Sequence, residues 1–378
     1  MEPVSILFSA ISGYGFYYLK SLIDDVAPEK AVVAGIVDPT PEKSAHLSWL
    51  KETNIPVFST MEEFYRSGLQ SDLAVISSPP QHHIHQAITA LKNGSNVLVD
   101  KPPGVGKDEV ERLSEAASQS GKWVEVGYQW SFSKAIQDLK RDIQEGLFGD
   151  LLKAGSICLW PRDYSYYNRN NWAGRITDPE GRRVYDSPAN NACAHFLHNL
   201  LFLLGDKWDM QADPVNIEFL KFKVYDIENF DTVCLKSALK CGAEILFYAS
   251  HAAEYPQDPQ FRMEFTGGEV RFEGDKPVIA GRFSDGRIKY YGSPEDDHQF
   301  KKLFQCIDAA GKPYQPVCPP EAALPHAKII DEIQNSDEDI YMFPDNKVVK
   351  TSERRWVKGL DQAFKEAYKN YEMLNYEF

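Results

Sequence analysis

The stretch NVLVDKPPG, residues 96–104, sets a lysine at the end of an apolar, strand-like run and then stiffens the chain behind it. Pro102 and Pro103 fix two successive φ angles, so Lys101 sits at a rigid corner, as a group aimed into a site would need to. A lysine of ordinary pKa, about 10.4, is a cation at neutral pH. It can position a hydroxyl, relay a proton or stabilise a developing alkoxide, and it becomes a base only if burial or a cationic neighbour lowers its pKa. A second group lies in NNACAHFLHNLL, where Asn191 and His195 are four residues apart and His198 lies three beyond. On a helix these share one face. An imidazole with an unperturbed pKa near 6.5 is poised to act as a base near neutrality. His195 and His198 could chelate zinc, but H-x-x-H fits less well than H-x-x-x-H, and a core histidine is the ordinary explanation for either one. In SSPPQHHIHQA, His82, His83 and His85 crowd together. No acidic or cysteine partner stands at ligand spacing, so a histidine lining a cofactor cleft is favoured and no metal is expected.

The turn SAISGYGF follows the first strand candidate. A dinucleotide site here would read G-x-G-x-x-G, letting the backbone approach a pyrophosphate at a helix N-terminus. Ala10, Ser12 and Gly15 occupy the three glycine places, with Gly13 extra; Ser12, Gly13, Tyr14 and Gly15 are the candidate contacts. An ordinary tight turn is the competing explanation. Asp38 closes the second strand roughly 20 residues later, where a carboxylate meets ribose hydroxyls and repels a 2′-phosphate. NAD is therefore favoured over NADP, although Asp38-Pro39 could equally cap the next helix. The stretch WPRDYSYYNRNNWAGRI carries Arg162, Arg169 and Arg175 among Tyr164, Tyr166, Tyr167 and Trp172. Aromatic faces stack on sugar rings, and arginine donors match hydroxyl or carboxylate oxygens. A surface arm at a subunit contact has the same composition.

Elements able to place these residues can be read from the pattern. Short apolar runs at 4–8, 31–38, 73–78, 96–100 and 123–127 alternate with helical patterns at 16–24, 83–92 and 108–119. Such alternation implies βαβ units and a parallel sheet covered on both faces. PEKSAHLSWL is expected to open a helix on its proline. Beyond residue 127 come helical patterns at 133–145 and 192–204, and from 215 runs such as FLKFKV, AEILFYAS and RMEFTG alternate apolar and polar. That is the mark of an antiparallel sheet with one face solvated or covered by a partner. The expectation is an α/β chain: an N-terminal dinucleotide-binding domain over 1–126, then an α+β domain over 127–378 with a large, open, mostly antiparallel sheet, serving substrate binding and oligomerisation.

A length of 378 residues suits two domains. The net charge of −14 disfavours nucleic acid and anionic membranes as partners. No apolar window reaches the length of a membrane span, and Glu2 stands where a signal peptide needs positive charge. The six cysteines, Cys158, Cys193, Cys234, Cys241, Cys306 and Cys318, are scattered without a C-x-x-C, so a reducing cytoplasm is expected.

Taken in order, these residues resemble the Gfo/Idh/MocA family, from about residue 4 to 335. Its E-K-P tripeptide corresponds to Asp100-Lys101-Pro102, its P-x-x-x-H to Pro79–His83, its aromatic segment after the last Rossmann strand to GYQWSF, and its D-x-x-x-H pair to Asn191 and His195. Asparagine for aspartate replaces a charge with an amide that can only hydrogen-bond. Residues beyond about 335 have no counterpart in the pattern. The resemblance implies a Rossmann domain followed by a mixed α/β domain whose sheet commonly packs on another subunit, hence a homodimer or homotetramer. It implies cofactor contacts at Ser78, Pro79, His83 and Lys101, and a carbohydrate substrate met by Gln129, Trp130, Arg162, Tyr167, Arg169, Trp172, Arg175 and His198. The expected activity is NAD-dependent hydride transfer at a secondary hydroxyl of a sugar, sugar acid or cyclitol, with His195 as base, Lys101 positioning and relaying, and Asn191 holding the hydroxyl. Two other readings stand beside it: redox-neutral, NAD-dependent glycoside cleavage, and a non-catalytic nucleotide or sugar sensor.

Overall fold

The computed structural model describes residues 2–273 and 278–374. They divide into two compact units: residues up to 132 with Asp297–Leu324, and Ser133–Asp296 with the chain from Pro325 on.

In the first unit the alternation seen in the sequence becomes β1 (Val4–Ser9), α1 (Tyr14–Asp25), β2 (Ala31–Val37), α2 (Leu47–Thr53), β3 (Val57–Phe58), α3 (Met61–Arg66), β4 (Leu73–Ile76), α4 (Pro80–Lys92), β5 (Asn96–Val99), α5 (Lys107–Ser120) and β6 (Val124–Val126). Every residue of β4, β5 and β6 is buried, as strands covered on both faces require. The order is β3-β2-β1-β4-β5-β6, all parallel, which is the doubly wound nucleotide-binding order with its switch point between β1 and β4. PEKSAHLSWL does not form one helix: Pro41–Lys43 is a single 3₁₀ turn, and α2 starts only at Leu47. The sequence pattern did not reveal α3, whose N-terminus is a capping box of Thr60 and Glu63.

The chain returns to this unit late. In α9 (Lys301–Ala309), Leu303, Cys306 and Ile307, with Phe300 before them, pack among Ile6, Phe8, Tyr18, Leu19 and Leu22. Buried Glu125 of β6 then accepts hydrogen bonds from the Tyr314 hydroxyl at 2.6 Å and from the Val317 and Cys318 amides at 2.7 and 2.8 Å. A reading in chain order cannot see such a return.

The second unit holds α6 (Lys134–Gln144), β7 (Leu151–Leu159), α7 (Tyr164–Tyr167), α8 (Ala194–Leu203), β8 (Pro214–Lys223), β9 (Thr232–Leu239), β10 (Glu244–Ser250), β11 (Gln257–Phe265), β12 (Gly268–Phe272), β13 (Ile279–Phe283) and β14 (Ile288–Gly292). After α10 (Pro320–Asn335), in which the chain passes from one unit to the other, come β15 (Tyr341–Met342), the hairpin β16 (Val348–Lys350) and β17 (Arg355–Val357), and α11 (Leu360–Asn370). Among the described residues nine strands form one sheet, β14-β13-β12-β11-β7-β10-β9-β8-β15, antiparallel except where β7 meets β10 and β8 meets β15. Side chains alternate across β7. Ile157 and Leu159 point to a core completed by Leu360, Phe364 and Tyr368 of α11, while Cys158 on the opposite face meets Cys193 at the start of α8. The two faces of the central strands are thus both covered, one by α8 and one by α11.

Candidate functional site

The carboxyl ends of β1, β2, β4 and β5 carry the expected nucleotide residues. Ala10 follows β1 with φ +65°, in the left-handed region that glycine enters without strain, so the backbone keeps a glycine-loop course although the residue is alanine. Gly13, at φ +58°, caps α1, and a side chain at Gly15 would put its Cβ 2.3 Å from the Ala10 carbonyl oxygen and 2.6 Å from Ser77 Oγ. Ser12 Oγ is buried here without a hydrogen-bond partner. Asp38 is buried, and its two carboxylate oxygens accept from the Ile11 amide at 3.1 Å and the Thr40 amide at 2.9 Å. It therefore ties the ends of β1 and β2 together besides capping its own turn. Gln86, which the sequence did not single out, accepts from Ser9 Oγ at 2.8 Å and Ser78 Oγ at 2.6 Å, closing the switch point from the α4 side. Pro79 is the N-cap of α4, with Pro80 in its first turn.

Lys101 is half-buried, and the peptide bond to Pro102 is cis. His83 braces this corner: Nδ1 lies 2.8 Å from the Pro102 carbonyl and Nε2 2.6 Å from that of Ser78. Burial pushes its pKa down, opposed by those carbonyls and by Asp100. Asp100 in turn is held from behind. Its Oδ1 accepts from Tyr18 Oη and from Lys302 Nζ, each at 3.2 Å. Lys302 comes from α9, is fully buried, donates to the Gly127 carbonyl at 2.7 Å, and stands over the rings of Tyr14 and Tyr18. A side chain at Gly127 would crowd this pair, because a Cβ would lie 3.0 Å from both Asp100 Oδ1 and Lys302 Nζ. Sequence reading missed Lys302. Its one signal is register: it shares a helical face with Cys306 and Ala309, which are also buried. Gln129 and buried Trp130 lie on the short 3₁₀ turn Gln129–Phe132 after β6.

In the second unit the candidates gather where β7 and β10 run out. Trp160 and Arg162 continue the ladder beside Ser250 and His251, with the Arg162 amide donating to the His251 carbonyl at 3.0 Å. Asp163 caps α7, accepting from the Tyr166 amide at 2.9 Å. The Tyr166 ring is a hub: the guanidinium carbons of Arg162 and Arg169 lie 4.8 and 3.8 Å from its centroid, and the His251 ring meets it edge-on at 5.2 Å. Tyr167 packs on Tyr225 and holds His251 Nδ1 at 2.9 Å through its hydroxyl. Burial, with Arg162 and Arg169 adding repulsion, pushes the His251 pKa well below the ordinary histidine value, so the ring is neutral. Arg169 also stacks near Trp172 and reaches Asp186 at 3.6 Å, whereas Arg175 is exposed.

Asn191 and His195 lie at the start of α8, both half-buried. The Asn191 amide nitrogen donates to Asp186 Oδ1 at 2.6 Å. A carboxylate thus stands beside this position after all, five residues upstream of the asparagine. Asp186 was not visible as a site residue from spacing, because the loop that carries it has no period. His198, expected among the substrate contacts, is instead a core residue. It is 1% exposed, stacks on Phe202, and its Nδ1 meets Gln211 Nε2 at 2.5 Å. Burial, with His326 and Lys140 nearby, pushes its pKa well below the ordinary value. On a helix buried nearly all round, sharing a face with His195 did not mean sharing a site. Among the described residues no group of three or more histidine, cysteine, aspartate or glutamate side chains is placed to hold a metal ion, and no helix is long and apolar enough to cross a membrane.

Known proteins resemble this chain in two ways. Residues 9–128 match the family model GFO_IDH_MocA, described as an oxidoreductase family with an NAD-binding Rossmann fold. Among curated proteins, scyllo-inositol 2-dehydrogenase (NAD(+)) of Bacillus subtilis (strain 168) is 28% identical over 135 residues, 36% of this chain and 38% of that protein. D-glucoside 3-dehydrogenase of Escherichia coli (strain K12) is 23% identical over 83 residues, 22% of this chain and 24% of that one. The match thus spans less than half the length of either relative. Among solved structures, the WlbA dehydrogenase from Bordetella pertussis, in complex with NADH and UDP-GlcNAcA, superposes with a TM-score of 0.74 at 18% identity, covering 91% of this chain and all of that one. Levoglucosan dehydrogenase in complex with NADH gives 0.69 at 15% identity, covering 88% and 96%. Residues 9–128 are thus similar to the NAD-binding Rossmann domain of the Gfo/Idh/MocA oxidoreductase family, on a chain whose fold these solved structures share.

Proposed function

We propose that the protein is an NAD-dependent oxidoreductase acting on a secondary hydroxyl of a sugar, sugar acid or cyclitol. The observation that carries this reading is Lys101, set at the carboxyl end of β5 between Asp100, which Lys302 holds, and Pro102, whose carbonyl His83 meets, on a sheet whose strand order defines a dinucleotide crevice. The residues present suit NAD: the tight turn at Gly15, the N-terminus of α1 beside Gly13, the unpartnered Ser12 hydroxyl, and the Asp38 carboxylate, which disfavours a 2′-phosphate and so NADP. When bound, NAD supplies a hydride acceptor at nicotinamide C4.

The chain's own residues would do the rest. His195 takes the hydroxyl proton as the carbon gives up its hydride. Lys101 stabilises the developing alkoxide and relays the proton. Asn191 orients the hydroxyl, its amide turned by Asp186. Tyr166, Arg162, Arg169 and Trp172 select the ring. We place this activity in the cytoplasm, in a homodimer or homotetramer, which sedimentation of the purified protein would check.

Nicotinamide absorbance at 340 nm, recorded with NAD and a panel of sugars, cyclitols and sugar acids, tests the reading. Reduction that disappears in Lys101→Ala supports it. Silence across the panel with NAD bound would turn the assignment to redox-neutral glycoside chemistry or to a sensor, and full activity in Lys101→Ala would remove Lys101 from the mechanism.

A further inference from the structure

Among the described residues Arg162 is a cation without a counter-ion. It is half-buried, its backbone is pinned on both sides by the His251 carbonyl and the Tyr225 hydroxyl, and its guanidinium lies near the rings of Trp160 and Tyr166, 5.6 and 4.8 Å from their centroids. No carboxylate stands within ion-pair distance of it among the described residues. Arg169 and Arg182, its neighbours in the same loop region, are paired with Asp186 and Asp178. Two buried polar atoms here have no hydrogen-bond partner: Arg162 Nε and His251 Nε2. The His251 ring is 2% exposed and neutral; in the tautomer where the Tyr167 phenol donates to Nδ1, the ring proton lies on Nε2. In that tautomer both orphans are donors, beside the same tyrosine ring. An aromatic-held guanidinium and an imidazole N–H together lack an acceptor carrying one negative charge.

We propose that Arg162, supported by His251, is the receptor for a carboxylate on the substrate, which makes the substrate a sugar acid or carboxylated cyclitol and not a neutral sugar. One unpaired positive charge balances a carboxylate. A phosphate dianion would bring a second charge toward Asp186 and Asp231, the two acids whose charges bear on Tyr167. The planar guanidinium also matches a carboxylate edge, whereas a lysine at this position would offer only a point charge.

This inference rests on the dehydrogenase reading of the same site, and the test separates the two. NAD reduction is followed with D-glucuronate against D-glucose, D-galacturonate against D-galactose, and glucose 6-phosphate, in the wild type, Arg162→Gln and Arg162→Lys. The expected result is a kcat/KM for one acid at least roughly tenfold to a hundredfold above its neutral parent, the weight of charge-assisted hydrogen bonds. That ratio collapses in Arg162→Gln and is partly restored in Arg162→Lys. Equal use of acid and parent, a preference for the phosphate, or a ratio unchanged in Arg162→Gln would overturn it. If no compound reduces NAD, thermal shift with the same uronates decides. Stabilisation lost in Arg162→Gln supports the carboxylate site while the dehydrogenase reading falls, and no stabilisation by either uronate overturns the site as well.

Discussion

At the scale of single residues, the nucleotide turn shows how a motif can erode in letters and persist in shape. Ala10 holds φ +65°, a conformation that costs a non-glycine residue about 1–2 kcal/mol. Glycine there would relieve the strain and give back about 0.4–1 kcal/mol through its freer unfolded chain. Ala10→Gly should therefore stabilise the protein by up to about 1 kcal/mol, read as a higher urea midpoint at unchanged slope. Gly15→Ala should do the reverse, because its Cβ has nowhere to go beside the Ala10 carbonyl; a titration with NAD should show affinity lost along with stability. Lys101 and His195 could be picked out from sequence because their neighbours are distinctive, two prolines in one case and an i, i+4 polar partner in the other. His198 misled the same reasoning, since spacing tells which residues share a helical face and not whether that face is dry. Arg162 was visible as an arginine among aromatics, but that it lacks a counter-ion among the described residues is a property of the fold alone.

At the scale of elements, the late return of α9 decides how the β5 and β6 ends are held. Lys302 neutralises Asp100 in the interior, and removing one partner of a buried pair typically costs about 3–5 kcal/mol, because the other charge is left uncompensated. Lys302→Met should cost about that much, and adding Asp100→Asn should recover part of it. A double-mutant cycle by urea denaturation measures the coupling; strict additivity would show that the pair does not act as one. Glu125 makes a different prediction. Burial raises its pKa to about 7 against an ordinary 4.5, despite three donors. The folded state therefore binds the proton more tightly than the unfolded chain. The stability this gives is fully present below about 4.5 and is lost as pH rises through about 7. Buried His83, His198 and His251 act in the opposite sense at acid pH, so the effect is read as a difference: the advantage of wild type over Glu125→Gln should shrink between pH 4.5 and 7.5. A constant gap would mean that Glu125 does not titrate in that window. None of this could be read locally, because Glu125 and Lys302 look like ordinary surface charges until the topology brings residues 297–324 back.

At the scale of the whole chain, the part without a counterpart in the family pattern has the plainest physical role. A mostly antiparallel sheet with two apolar faces needs cover on both, and the resemblance led to the expectation that another subunit would provide it. Here the segment after β15 does so within the chain. Leu360, Phe364 and Tyr368 bury themselves against Ile157, Leu246 and Tyr248, the Tyr248 hydroxyl donates to the Ala367 and Glu372 carbonyls at 3.1 and 2.8 Å, and Arg262 Nε donates to the Tyr371 hydroxyl at 2.9 Å. The alternation of β7 and β10 announced an apolar face, but nothing in that pattern could say which segment would lie on it. A phenylalanine truncated to alanine in such a core costs about 3–5 kcal/mol, so Phe364→Ala should lower the urea midpoint sharply. Ending the chain after Asp339 should go further. The sheet would then expose a contiguous apolar patch of the kind that recruits partners or aggregates, and the shortened protein should bind a hydrophobic dye and sediment as larger species than the full chain. Unchanged sedimentation and stability after that cut would mean that α11 lies on the sheet without holding it, and would return that face to the role of a subunit contact.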